Sequence, residues 1–385
     1  MWSKTPIAWL QLTYRKTRLL VTTIGVTFAV LLMFIQLGFR DGLFEDAVTI
    51  HKTLQADLVL IHADTERFFE MQPFPRRYLY NISAINGIAS VNPFYFGIGN
   101  LKNPETFVSR PIAVCAFMPD KPVLNLPEVN QQTEIIKRHN TVLFDRLSRP
   151  DYGLIAASFA PSGTVSIELS NHQTKIGGLF SLGGGVMSAG GLVITSDLNF
   201  SQIFNQPLEK VSMGVIKLQP GVDAKDIIKE ASKNLSPDVK IMTLAEFMQL
   251  EKEVLAQSTP IGFIFNMGTV IGCVFGGIIV YQILFTQISD SLYIYATFKA
   301  IGYANVFLIK VVLQQAILMS LIGYIPGFSF CLYIYNFVQD STRLPMNMTF
   351  QRALIVMVLT IIMCSLAGLL AMNKLHSADP AELFG

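Results

Sequence analysis

Charge is what this sequence has least of. Of its 385 residues only 15% are Asp, Glu, Lys or Arg, against about 25% in ordinary soluble domains. Four stretches, residues 19–39, 254–289, 311–339 and 353–373, contain none at all. A helix rises about 1.5 Å per residue, so roughly 20 apolar residues cross a hydrocarbon core, and each stretch is long enough. Within lipid every backbone amide must be paired inside its own segment, which predicts helices. Cysteine is scarce too. Only Cys115 lies outside these runs, with Cys273, Cys331 and Cys364 inside them. No disulfide can form within the intervening domain, which must rely on its core.

The groupings that carry catalysis are missing as well. The five histidines, His51, His62, His139, His172 and His376, form no His-x-x-x-His pair and none sits beside a cysteine at metal spacing. There is no Gly-x-Ser-x-Gly elbow and no Gly-Lys pair, which excludes a nucleophile elbow and a phosphate loop. The apolar runs hold no charge that could relay protons or ions. The expectation is a non-enzyme with no catalytic, metal or cofactor site.

What charge there is gathers between the first two runs. Residues 40–253 hold 20 basic and 23 acidic side chains, a slightly acidic balance with no footprint for nucleic acid. Short β-rich runs alternate there with helices. Strands are predicted at 56–62, 110–117, 164–170, 173–180, 191–195, 211–218 and 238–243, and helices near 73–84, 197–204, 223–234 and 244–257. Asp223 after the Pro220-Gly221 turn predicts a helix cap within a βαβ-type unit, strand 211–218, helix 223–234, strand 238–243. Thr243 with Glu246 reads as a capping box for a helix running toward the second span without a breaker before Pro260. Paired acids such as Asp41 with Glu45 read as a solvated helix face.

The fold class expected is an α+β membrane protein with four transmembrane helices and a large extracytoplasmic mixed α/β domain inserted between the first two. The expected order is a cytoplasmic amphipathic helix at 1–18, a first span at 19–39, the external domain at 40–258, and a second span at 259–288. A cytoplasmic helix at 289–305, a third span at 306–338, a short external loop at 339–352, a fourth span at 353–373 and a cytoplasmic tail at 374–385 complete it. Orientation comes from the short flanks. Lys4, Arg15, Lys16, Arg18, Lys299, Lys310 and Lys374 fall on one side against Arg343 and Arg352 on the other, which puts both termini in the cytoplasm.

Several segments admit two readings. In the N-terminal helix, Trp9, Arg15, Lys16 and Arg18 suit the membrane interface, as a plain anchor or as a contact for a cytoplasmic partner. The stretch 177–191 has seven glycines and no charge. It is a pliant hairpin tip or a loop that meets a partner, with Gly183, Gly184, Gly185, Val186 and Met187 at its centre. Gly268, Gly272, Gly276 and Gly277 give the second span a small-residue face, for internal packing or for a dimer seam. Pro326-Gly327 should kink or break the third span. Residues 290–303 read as a helix capped near Asp290 and stopped at Gly302, with Leu292, Tyr295 and Phe298 along one side, a linker or a lever.

Ala296-Thr297-Phe298-Lys299-Ala300-Ile301-Gly302 resembles the Ala-Thr-Leu-Lys-Ala-(Leu/Ile)-Gly element of FtsX/MacB-type (type VII) ABC transporter permeases. Pro6-Ile7-Ala8-Trp9-Leu10-Gln11-Leu12 is similar to that family's N-terminal helix, and Ala378-Asp379-Pro380-Ala381-Glu382 to its tail. Gln36-Leu37-Gly38-Phe39-Arg40-Asp41, Lys102-Asn103-Pro104, Phe117-Met118-Pro119, Leu143-Phe144-Asp145-Arg146 and Ser148-Arg149-Pro150 resemble its cyanobacterial DevC branch, permeases of heterocyst glycolipid exporters. The resemblance implies an inner-membrane homodimer served by a separate cytoplasmic ABC ATPase that binds the ATP. Asp290, Leu292, Tyr295, Phe298, Lys299, Ile301 and Gly302 would couple to it, and the amphiphile cargo would be moved from the periplasmic side by mechanotransmission. A periplasmic adaptor (membrane fusion) protein and a TolC-like outer-membrane protein would be further partners. The alternative is an FtsX-like signalling permease that activates a periplasmic enzyme such as a murein hydrolase.

Overall fold

The computed structural model describes residues 7–14, 16–183, 190–258, 260–290, 297, 301, 303–342 and 344–376. The chain divides into two compact units, a set of long helices and a sheet domain formed essentially by residues 43–259.

Among the described residues four helices are long and apolar enough to cross a membrane: span 1, Lys16–Ala47, span 2, Pro260–Asp290, span 3, Asn305–Thr342, and span 4, Phe350–His376. With the mixed domain between the first two, this is an α+β membrane protein. Span 1 buries Val26, Ala29, Val30, Met33, Phe34 and Leu37, a stripe at three- and four-residue spacing along one helix face. Small residues receive that stripe. A Cβ added at Gly323 or Gly327 of span 3 would lie 2.5 Å from Val26 or 2.7 Å from Val30, and one at Gly276 of span 2 would lie 2.5 Å from Ala29. A Cβ at Gly268 would meet Gln36, and Gly272 faces Leu32 and Met33. Gly276 and Gly277 also face Met363 of span 4. The small-residue face of span 2 therefore serves internal packing, bringing helix backbones into close approach. Span 3 continues through Pro326 as one helix. One turn before the proline, the Thr27 hydroxyl donates 3.0 Å to the Gly323 carbonyl, a side-chain bond of the kind that satisfies a carbonyl near a helical proline.

The second unit is built on a nine-stranded mixed sheet. Its strands are β1 (Leu58–His62), β3 (Ile88–Lys102), β4 (Ser109–Phe117), β5 (Thr141–Asp145), β6 (Val165–Leu169), β7 (His172–Phe180), β8 (Leu192–Ser196), β10 (Met213–Leu218) and β11 (Val239–Thr243), with β2 (Phe74–Pro75) and β9 (Lys210–Val211) in a separate pair. The order is β11-β1-β10-β3-β4-β8-β5-β7-β6. The sheet also returns on itself, since Leu101 and Lys102 of β3 pair with Leu169 and Glu168 of β6. Both faces are covered. Ile112, Val114 and Ala116 of β4 enter one core, while Ala113, Cys115 and Phe117 enter the other, the two-residue period of a strand buried on both sides.

The predicted strands and helices match observed elements within a few residues, except that β2 stands where the helix near 73–84 is expected to begin, that helix starting only at Arg77, and that β3, β5, the turns His51–Thr53, Phe68–Glu70 and Pro150–Tyr152 and the short helices Pro127–Asn130, Thr133–Ile136 and Ile155–Ser162 are additional. Asp223 caps its helix through the Lys225 amide at 2.9 Å. Thr243 and Glu246 form the capping box, with bonds of 2.8 and 3.1 Å. The βαβ unit carries a correction. Its two strands do not pair with each other, because β1 lies between β10 and β11, antiparallel to both. The chain thus makes a split βαβ unit. The helix after the capping box ends at Ser258 and span 2 begins at Pro260, with Thr259 outside the described residues.

Candidate functional site

The charged residues of the helix set collect at its two ends. At one end Arg18 Nη2, one turn into span 1, lies 2.6 Å from Asp290 Oδ2 at the last residue of span 2. Their side chains are 22% and 38% exposed, so the pair contributes at most about 1 kcal/mol. Helix Ile7–Tyr14 docks at the same end. Ala8 and Leu12, one turn apart, are buried, and Gln11 between them accepts a 2.5 Å bond from Nε2 of the fully buried Gln315 on span 3. Trp9, Leu10 and Tyr14 are exposed. The helix is therefore held by the Ala8–Leu12 face, and the aromatic side is left free for lipid or protein. Lys16 is exposed.

Of the remaining residues in the predicted coupling segment, Ile301 is 69% exposed and donates its amide to the Thr297 carbonyl at 3.0 Å. Tyr303 follows, its ring tilted against that of Phe307 at a centroid distance of 4.7 Å. Leu292, Tyr295, Phe298, Lys299 and Gly302 lie outside the described residues, and so does Arg15.

The opposite end, about 35 Å away along span 1 at 1.5 Å per residue, is built around Asp41. Its Oδ2 accepts from Arg352 Nη2 at 2.8 Å and Nε at 3.2 Å, and its Oδ1 from Arg40 Nη2 at 2.9 Å. Arg40 also reaches Asn266 of span 2 at 3.0 Å. The Arg352 guanidinium donates to the Asn347 carbonyl at 3.0 Å and stands 5.6 Å over the Tyr335 ring. The Tyr335 hydroxyl donates to the Phe34 carbonyl. One carboxylate thus ties together residues from all four spans, beside a recess of about 270 Å3. Charge-assisted fork contacts of this kind are strong and directional. Glu45, one turn further on, accepts from Lys52 and Lys252. Asp41 and Glu45 are therefore ion-pair hubs, which corrects their reading as a solvated face. Their partners lie as far as 311 positions away, beyond what local spacing shows.

The glycine-rich loop is described only at its roots. Gly183, at φ +83, donates 2.9 Å to Oδ2 of the buried Asp145, whose Oδ1 accepts from Leu182 at 3.2 Å and Leu147 at 3.0 Å. At the other root the Gly190 carbonyl accepts from Arg149 at 2.8 Å. Gly184, Gly185, Val186 and Met187 lie outside the described residues. Segment 145–149 thus grips both ends of the loop, a role for Asp145 that no local motif announces. Among the described residues no group of three or more His, Cys, Asp or Glu could hold a metal ion.

Comparison with known proteins gives the following likenesses. Among curated proteins none matches the chain. The periplasmic region of MacB from Actinobacillus actinomycetemcomitans is similar at 12% identity and a TM-score of 0.35, over 52% of this chain and 94% of that one. The extracellular domain of the noncanonic ABC-type transporter YknZ from Gram-positive bacteria aligns at 10% identity and a TM-score of 0.33, over 49% and 98%. A domain of a putative permease protein from Porphyromonas gingivalis aligns at 12% identity and a TM-score of 0.30, over 50% and 89%. Residues 260–380, which hold spans 2 to 4 and the segments joining them, match the family FtsX-like permease C-terminal.

Proposed function

We propose that the chain is the permease subunit of an ABC exporter in which a separate cytoplasmic subunit hydrolyses ATP and the spans relay the motion to an external domain. The match of residues 260–380 to the FtsX-like permease family carries this reading. In it, helix Ile7–Tyr14, Arg18, Asp290 and the segment to Gly302 lie in the cytoplasm, where the ATPase docks. The ion pair from Arg18 to Asp290 is the point at which a pull on 291–303 reaches span 1. The Asp41 cluster lies at the external end and holds the four spans in register there. The cargo is an amphiphile of glycolipid type, taken up from the periplasmic side. The permease acts as a homodimer, and a periplasmic adaptor and a TolC-like outer-membrane protein complete the path.

Cross-linking in intact cells through a C-terminal tag, followed by mass spectrometry, tests this directly. Recovery of an ABC ATPase with a periplasmic adaptor is the expected result. Recovery of the ATPase with a cell-wall hydrolase or its activator would replace export by signalling, and recovery of no ATPase would overturn both.

A further inference from the structure

Two buried ionisable groups in the sheet domain take no part in the sites above. His51 opens the turn His51–Thr53, four residues past the end of span 1 at Ala47, and Glu251 sits in helix Leu244–Ser258, the last element before span 2. The two chain segments that connect the domain to spans 1 and 2 therefore meet at this pair. His51 is 0% and Glu251 1% exposed. Nε2 of the imidazole lies 3.7 Å from Glu251 Oε2, beyond hydrogen-bond length. Among the described residues neither ring nitrogen has a hydrogen-bond partner. The ring is held instead between Phe68 and Phe247, at centroid distances of 4.9 and 4.8 Å.

The surroundings of Glu251 are as spare. Oε2 accepts the Phe68 amide at 2.6 Å. Arg67 Nε stands 4.0 Å from Oε1, while the same guanidinium is bonded to Glu70 at 2.8 Å. Lys52 and Lys252, the residues next to His51 and Glu251, both turn to Glu45. Phe94 and Phe96 of β3, which pack on Phe68, bring no charge.

Burial penalises charge on both members of the pair. It drives the imidazole from its ordinary 6.5 down to about 3. It drives the carboxyl from 4.5 up to about 7, with the Phe68 amide and Arg67 pulling back and Glu70 adding to the rise. Folded, the pair is a neutral imidazole beside a protonated carboxyl. Opened to water between pH 4.5 and 6.5, it is an imidazolium and a carboxylate. Both states hold one proton.

We propose that His51 and Glu251 form a clasp between the two chain segments that lead to spans 1 and 2, and that in mildly acidic medium it opens with no net uptake or release of protons. On opening, the Oε–H bond of Glu251 breaks and an N–H bond forms on His51, with no other reactant. The sign follows from linkage. Glu251 alone, its folded value raised, gives stability that is complete below 4.5 and lost as pH rises through about 7. His51 alone, its folded value lowered, gives stability that is complete above 6.5 and lost as pH falls toward about 3. Between 4.5 and 6.5 the two slopes are equal and opposite. The stem of the domain is thereby insulated from external pH over a range in which either group alone would tie it to pH.

The test is hydrogen exchange of residues 48–53 and 247–255 in the full-length protein in lipid nanodiscs, corrected for intrinsic exchange and followed between pH 4.5 and 6.5. The wild-type opening constant should change by less than about threefold over the window. In Glu251→Gln it should fall, and in His51→Phe rise, about tenfold per pH unit. A wild-type slope near tenfold per unit, or two flat variants, would overturn the proposal, and if one variant fails to fold the other decides. Infrared spectra need no folded variant: wild-type protein at about pH 6 should retain a protonated-carboxyl band, and its absence would also overturn the clasp. Where Glu251→Gln folds, the band should be missing from that variant.

Discussion

Asp41 and Arg352 join span 1 to span 4 across 311 positions of sequence, through contacts of 2.8 and 3.2 Å to one carboxylate oxygen. The Arg352 side chain is 6% exposed, whereas Arg40, the other partner of Asp41, is 29% exposed. Removing Arg352 takes away a nearly buried cation together with its fork to Asp41, its bond to the Asn347 carbonyl and its place over the Tyr335 ring, while the more exposed pair of Arg40 with Asp41 contributes at most about 1 kcal/mol. Arg352→Ala should therefore lower the thermal midpoint of the detergent-solubilised protein far more than Arg40→Ala. Equal effects would mean that the pair is solvated in practice.

Close approach of spans 1 and 2 predicts a size swap. Gly276→Ala places a methyl 2.5 Å from the Ala29 Cβ and 2.6 Å from the Met363 sulfur. Overpacking of that kind costs about 1–3 kcal/mol. Adding Ala29→Gly should recover much of the loss, because Met363 is flexible and can yield. If the double variant is no more stable than Gly276→Ala alone, the contact with Ala29 does not limit the packing.

The grip on the glycine-rich loop is open to limited proteolysis. Asp145→Ala removes the acceptor for the amides of Leu182 and Gly183, each bond to a charged group contributing about 1.5–3 kcal/mol. Cleavage within 183–190 should become faster while circular dichroism of the domain is preserved. Unchanged cleavage would show that the contact of Arg149 with Gly190 holds the loop unaided.

For the proposed coupling segment, Lys299→Glu or Gly302→Pro should abolish communication between the proposed ATPase partner and the sheet domain with membrane insertion intact. ATPase stimulation in reconstituted vesicles measures it. Unchanged stimulation would reduce residues 290–303 to a linker.

Much of the fold was legible because it is written in runs and periods. The charge-free stretches mark the four long helices. Strands with a polar boundary, such as His172–Phe180, show in their alternation and in the turns that flank them. β3 escaped because Asn92, Pro93, Gly97 and Gly99 read as breakers. In the fold Pro93 sits one residue before pairing with β4 begins at Phe94, so its missing amide costs nothing on that side. Gly97 gives room to the Phe204 ring, and Gly99 to Ser170 and Leu169. β5, five buried residues in a row, offers no alternation at all. The candidate sites were less legible. Asp41, Asp145, His51 and Glu251 owe their roles to partners brought near by folding, and no spacing rule pairs His51 with Glu251 across 200 residues.

The return of β6 onto the end of β3 has a consequence for what the domain can bind. An open sheet has two flanks at which a foreign strand can add. Here β3 already occupies part of one flank, at Leu101 and Lys102. Among the described strands the unencumbered flank is Val239–Thr243, which pairs only with β1. A backbone that extends this sheet along its whole length has a single place to lie, alongside the strand whose last residue caps the helix that leads on to span 2.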